Sequence, residues 1–137
     1  MKRILQTNDI KRFLVDVYTS IVYDNSTPFE KYVPDGVWYV LVDGNDVAGL
    51  INLQPVTNVL WNTHVIIYPA YRGNGSEEWG KLVAADMKQH GATRFIALTP
   101  YENARKYAER VGFKYITTLL NSVKKDGKLL HQHMLEL

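Results

Sequence analysis

At 137 residues the chain has the length of one domain, 1–137, with room for a substantial hydrophobic core. Its composition, 46% apolar and 22% charged, is that of an ordinary globular protein, and the absence of cysteine excludes disulfides, thiolate metal sites and a cysteine nucleophile. A formal net charge of +2 is too slight to argue for nucleic acid, no apolar run approaches the ~20 residues of a membrane span, and Met-Lys-Arg with a few apolar residues is too short for a signal peptide, so a cytoplasmic location is expected.

Lys2 to Gln6 reads as a short strand. From Thr7 or Asn8, either a competent N-cap, Ile10, Phe13, Leu14, Val17, Tyr18 and Ile21 recur at helical spacing, which predicts a helix with one apolar face. Asp24 to Pro28 breaks that pattern, and Phe29 to Val33 reads as a short helix before Pro34-Asp35-Gly36. Val37 to Val42 and Val47 to Leu53, rich in β-branched and aromatic residues, flank a turn containing Asp43-Gly44 and predict a β-hairpin. A third strand runs from Val59 to Tyr68.

The stretch from Tyr68 to Gly80, Tyr-Pro-Ala-Tyr-Arg-Gly-Asn-Gly-Ser-Glu-Glu-Trp-Gly, joins that strand to a helix with Trp79, Leu82, Val83, Met87 and His90 on one face. A strand that feeds a glycine-rich turn opening a helix presents backbone N–H groups without intrahelical partners, the arrangement that suits a phosphate. Such a turn also has a purely structural reading: Ser76 as N-cap and Glu77 and Glu78 in the first turn complement the helix dipole with no anion present. Arg94 to Thr99 reads as another strand, parallel to the one before the helix, and Asn103 to Val111 as another helix. Tyr115 to Leu120 and Leu129 to Leu137 close the chain as a hairpin. His131 and His133 share a strand face, but no cysteine or obvious third ligand accompanies them, so no metal site is expected.

In this order the pieces resemble the GNAT superfamily, the acyl-CoA-dependent N-acyltransferases, whose signature Q/R-x-x-G-x-G/A lies at a strand-to-helix turn. Arg72 and Gly75 fill its first two fixed places, and a late helix ending in Gly112-Phe113 is a second, independent match. The resemblance implies an α/β fold of about six to seven strands, a central mixed sheet with helices on both faces. It also implies transfer of an acetyl group from acetyl-CoA to a primary amine, of a small molecule or a protein, and often a homodimer. Residues between the first helices, Tyr23 to Gly36, would line the acceptor pocket.

Carried residue by residue, the resemblance assigns the donor's pyrophosphate to Arg72, Gly73, Asn74, Gly75 and Ser76, and polarisation of the thioester carbonyl to backbone N–H groups of Val65, Ile66 and Ile67. The family often places its base on the strand before the turn; His64 is the one imidazole there, with Tyr68 in reserve. Tyr107 is the local acid for the leaving thiolate, although the family's tyrosine position, four residues before the glycine, holds Ala108. At the third fixed place of the signature stands Glu77 instead of Gly or Ala. These two departures support an alternative, a catalytically degenerate binding or structural protein such as those of some tailed phages. A nucleic-acid module using Trp38, Trp61 and Trp79 is the third reading.

Overall fold

The computed structural model describes residues 1–9 and 36–137. The helices expected between Ile10 and Val33, and nearly all of the segment assigned to the acceptor pocket, lie outside the described residues. Strands β1 (Lys2–Thr7), β2 (Val37–Asp43), β3 (Asp46–Pro55) and β4 (Leu60–Ile67) form an antiparallel meander in which each strand pairs with the next. After a single 3-10 turn at Pro69–Tyr71 come helix α1 (Glu77–Gln89), β5 (Arg94–Thr99), helix α2 (Glu102–Val111), β6 (Lys114–Lys125) and β7 (Lys128–Glu136). The sheet has seven strands in the order β1-β2-β3-β4-β5-β7-β6, and only the β4–β5 pair is parallel, as a strand–helix–strand crossover requires.

Strand alternation sorts the sheet's residues into two packing layers. Tyr39, Leu41, Ile51, Leu53 and Ile67 join Phe95 and Leu135 against Trp79, Val83 and Met87 of α1 and Tyr107, Ala108 and Val111 of α2. On the opposite face Trp38, Val40, Val42 and Leu50 form a second cluster, flanked by Val47 and Ile66. Trp38 and Trp79 are thus core residues, which removes two of the three indoles from any base-stacking surface. Leu82 and His90, expected on the buried face of α1, are exposed: the buried stripe is the narrower set Trp79, Val83, Met87, and His90 stands at the C-cap.

The two helices approach closely at Gly80. A Cβ there would meet Val111 Cγ2 at 2.6 Å and the Tyr107 hydroxyl at 3.0 Å. Gly80→Ala is therefore expected to destabilise the protein by about 1–3 kcal/mol through overpacking, although alanine is the better helix former. Urea unfolding would show a lower midpoint at constant slope, and an unchanged midpoint would mean that the helices separate freely.

Candidate active site

Helix α1 begins in a tight turn that leaves β4 through Tyr68. Arg72 donates from Nε to the Ile67 carbonyl at 2.9 Å, tying the turn to the end of the strand. Gly73 and Gly75 have φ of 108° and 94°, a region that residues with a Cβ rarely adopt, so the backbone turns where only glycine does so freely. Ser76 occupies the N-cap position without a side-chain cap: its hydroxyl donates instead to the Gly73 carbonyl at 2.7 Å. Glu77 and Glu78 stand in the first turn of the helix, as expected.

The carboxylate of Glu77 turns back on the loop that precedes it. Its Oε2 accepts the Gly75 backbone N–H at 2.9 Å and lies 3.4 Å from Nε of Arg110, whose Nη2 is 3.4 Å from the Ser76 hydroxyl. Its own backbone N–H, followed by that of Gly75 and by Arg110, holds the carboxyl below its usual range, against an opposing contribution from desolvation. Lys2 from β1 completes the surroundings, with Nζ 3.8 Å from Glu78 Oε2 and 5.3 Å from the centre of the Trp79 ring. Arg110 and Lys2 were not singled out by the sequence. Arg110 follows Tyr107 by one helical turn, the only signal for it, and Lys2 arrives through the pairing of β1.

Beside the turn the sheet opens. The β4–β5 ladder consists of Leu60↔Arg94, Trp61↔Phe95 and Asn62↔Ile96 and then stops, while β4 continues to Ile67 and β5, paired on its other edge with β7, continues to Thr99. Backbone groups along β4 alternate in direction. Val59 accepts from Thr93 and Arg94 on the β5 side, and Tyr68 donates to Ala48 on the β3 side. Val65 and Ile67 accordingly aim their N–H groups into the opening, and Ile66 aims its own at β3.

His64 stands on the face away from α1 and α2, directly across from Asn52 of β3. Its Nε2 is 3.4 Å from Asn62 Nδ2. Burial pushes the imidazole below its ordinary pKa, so the ring is neutral at pH 7. Asn62 Oδ1 is buried with no hydrogen-bond partner among the described residues. Tyr107 belongs to the other face: it is buried between the helices, its hydroxyl donates to the Ser76 carbonyl at 3.2 Å, and burial raises its phenol well above the usual range. Tyr68 lies just past β4, half-buried. His131 and His133 are engaged in the closing hairpin, His131 Nδ1 accepting the Asn121 N–H at 2.9 Å and His133 Nδ1 lying 3.2 Å from the Thr118 hydroxyl.

A mixed sheet that opens between its two parallel strands, with a glycine turn and a helix start tied to the end of the first of them, is the architecture of the acyl-CoA-dependent N-acyltransferases. Residues 6–113 match the Acetyltransferase (GNAT) family, and the chain belongs to that family. Similar solved structures include a GNAT family acetyltransferase from Elizabethkingia anophelis with acetyl-CoA bound, with a TM-score of 0.79, 13% identity and coverage of 99% of this chain and 97% of that one. Ribosomal-protein-alanine N-acetyltransferase from Brucella melitensis gives 0.75 and 16%, covering 100% of this chain and 98% of that one. The protein yncA from Salmonella typhimurium with its cofactor acetyl-CoA gives 0.65 and 16%; there the match covers 74% of this chain and 63% of that one, less than two thirds of its length. At such identities the likeness is one of fold. No curated protein sequence matches the chain.

Proposed function

We propose that the protein transfers an acetyl group from acetyl-CoA to a primary amine by direct attack. The observation that carries this reading is the opening between β4 and β5, bordered by the Val65 and Ile67 N–H groups and flanked by His64. Those two amides are the donors for the thioester oxygen, where negative charge grows as the amine attacks. The backbone of Gly73, Asn74, Gly75 and Ser76, with Arg72, would hold the pyrophosphate at the helix start. Neutral His64 takes the proton that the amine loses as its nitrogen bonds to the carbonyl carbon, and Tyr68 is the reserve group for this step. The carbon–sulfur bond then breaks and the thiolate leaves; Tyr107, the acid the family resemblance assigns to it, would have to give up its bond to the Ser76 carbonyl and donate against a burial-raised pKa.

His64 and Tyr107 lie on opposite faces of the sheet, which supports a division of labour: the amine arrives from the His64 face, and the donor's phosphates stay on the helix side. Asn62 Oδ1, buried beside His64 with no hydrogen-bond partner among the described residues, offers an acceptor for an amine N–H. A small molecule and a protein amino group both fit this description.

Glu77 on the Gly75 amide favours a second reading, a family member that keeps the fold for binding or structure and has lost the donor. Thermal unfolding with and without acetyl-CoA separates the two. A ligand held only by the native state at ~100 times its dissociation constant adds about 2.7 kcal/mol, a visible rise in midpoint. That rise is expected here; its absence at millimolar ligand would make the degenerate reading the leading one.

A further inference from the structure

Two anions have a claim on the Gly75 N–H. One is a phosphate of the donor, under the function proposed above, on which this inference rests. The other is already in place, because Glu77 Oε2 accepts that N–H at 2.9 Å with Arg110 beside it at 3.4 Å. We propose that Glu77 is a built-in competitor for the anion seat of the turn, and that a phosphate entering the seat displaces its carboxylate and takes over both the Gly75 amide and Arg110. Glu77 would thereby set the affinity of the protein for phosphate-bearing donors.

Several features support exchange over a fixed structural cap. A carboxylate and a phosphate oxygen seek the same donors, so the turn cannot serve both at once. Arg110 stands at equal 3.4 Å distances from Glu77 Oε2 and Ser76 Oγ, long contacts that a shift of the guanidinium toward an incoming ligand would cost little to break. The other helix-start carboxylate follows the same pattern, with Glu78 Oε2 3.8 Å from Lys2 Nζ. Arg110 and Lys2 are thus each matched with a carboxylate that a more highly charged anion can replace, while Arg72 is held by the Ile67 carbonyl. Its donors hold the Glu77 carboxyl below its usual range, so the competition is present throughout the neutral range.

The test is titration calorimetry of the intact chain, comparing the unmodified protein with Glu77→Ala and Glu77→Gln, using coenzyme A, inorganic pyrophosphate and an N-acetylcysteamine thioester that lacks phosphate. Emptying the seat is expected to tighten coenzyme A and pyrophosphate about five- to tenfold, with a smaller gain for glutamine, while the phosphate-free thioester is unaffected. Adding Arg110→Ala to Glu77→Ala should remove the gain. A folded Glu77→Ala variant, verified by its unfolding midpoint, that binds coenzyme A and pyrophosphate no more tightly than the unmodified chain would overturn the proposal. Equal gains for the phosphate-free thioester would overturn it as well, since relief of bulk would then be the cause. Tighter pyrophosphate with no coenzyme A binding in any variant would uphold the competition and dispose of the acyl-CoA reading instead.

Discussion

Trp79→Ala is expected to cost the fold about 3–5 kcal/mol, the scale for emptying a buried aromatic site. Trp79 is 1% exposed. Its Nε1 donates to the Val42 carbonyl at 3.1 Å, its ring meets Tyr71 edge-on at 6.4 Å, and it lies in the main core beside Val83 and Tyr107. Alanine would leave a cavity and an unsatisfied carbonyl together. Trp79→Phe, which refills much of the volume and loses only the N–H, should cost roughly 1–2 kcal/mol less than alanine does. Urea denaturation reads both values, and near-equal midpoints for the alanine variant and the unmodified protein would contradict the packing described. Since Trp79 follows Glu77 by two residues, the alanine variant should also loosen the start of α1 and weaken donor binding.

His64→Gln should lower turnover by about a hundredfold or more while leaving coenzyme A affinity unchanged, the signature of a lost base with an intact donor site. The acid limb of the rate profile should fall below pH 6.5, because burial makes the native imidazole harder to protonate. Stability carries the same sign. Well above pH 6.5 the ring is neutral in both states and contributes nothing to the pH dependence. As pH falls below that value the unfolded chain takes up a proton that the native state resists, so stability drops until the native ring also titrates. His64→Gln should flatten that part of the stability profile. Unchanged turnover would remove His64 from the mechanism and leave Tyr68 as the remaining candidate on that side.

Much of the architecture was legible because its causes are local. Asp43-Gly44 marked the hairpin of β2 and β3, β-branched runs marked the strands, and the Trp79, Leu82, Val83, Met87, His90 spacing marked helix α1, although Leu82 and His90 prove exposed. The parallel direction of β5 followed from the helix that precedes it. Strand β6 was read too short, as Tyr115 to Leu120, because Asn121 and Ser122 resemble turn residues. Asn121 does take a positive φ of 50°, but as an irregularity after which pairing with β7 resumes at Val123.

For the candidate site, the sequence offers types of residue and not their contacts. Glu77 could be recognised as the wrong residue for its place, yet nothing near it in sequence announces Arg110, 33 residues on, as its partner. Tyr107 could be named only as a phenol one residue from the place the family resemblance gives to the leaving-group acid. That its hydroxyl is spent on the Ser76 carbonyl depends on how α2 lies against α1. The sorting of His64 and Tyr107 to opposite faces needs the register of β3 against β4, which strand periodicity alone does not supply.

The short β4–β5 ladder has a mechanical consequence. Among the described residues only three ladder pairs, extended by the Val59 carbonyl's bonds to Thr93 and Arg94, join the first four strands to the last three, so the sheet has a brief seam between two plates. Among the described residues the plates are also joined by the layer beneath, where Ile51 and Leu53 of one plate and Phe95 and Leu135 of the other pack against the same pair of helices. The helices thus act as a brace across the seam, which lets the backbone remain open at the place where a ligand would enter without splitting the protein into two folding units.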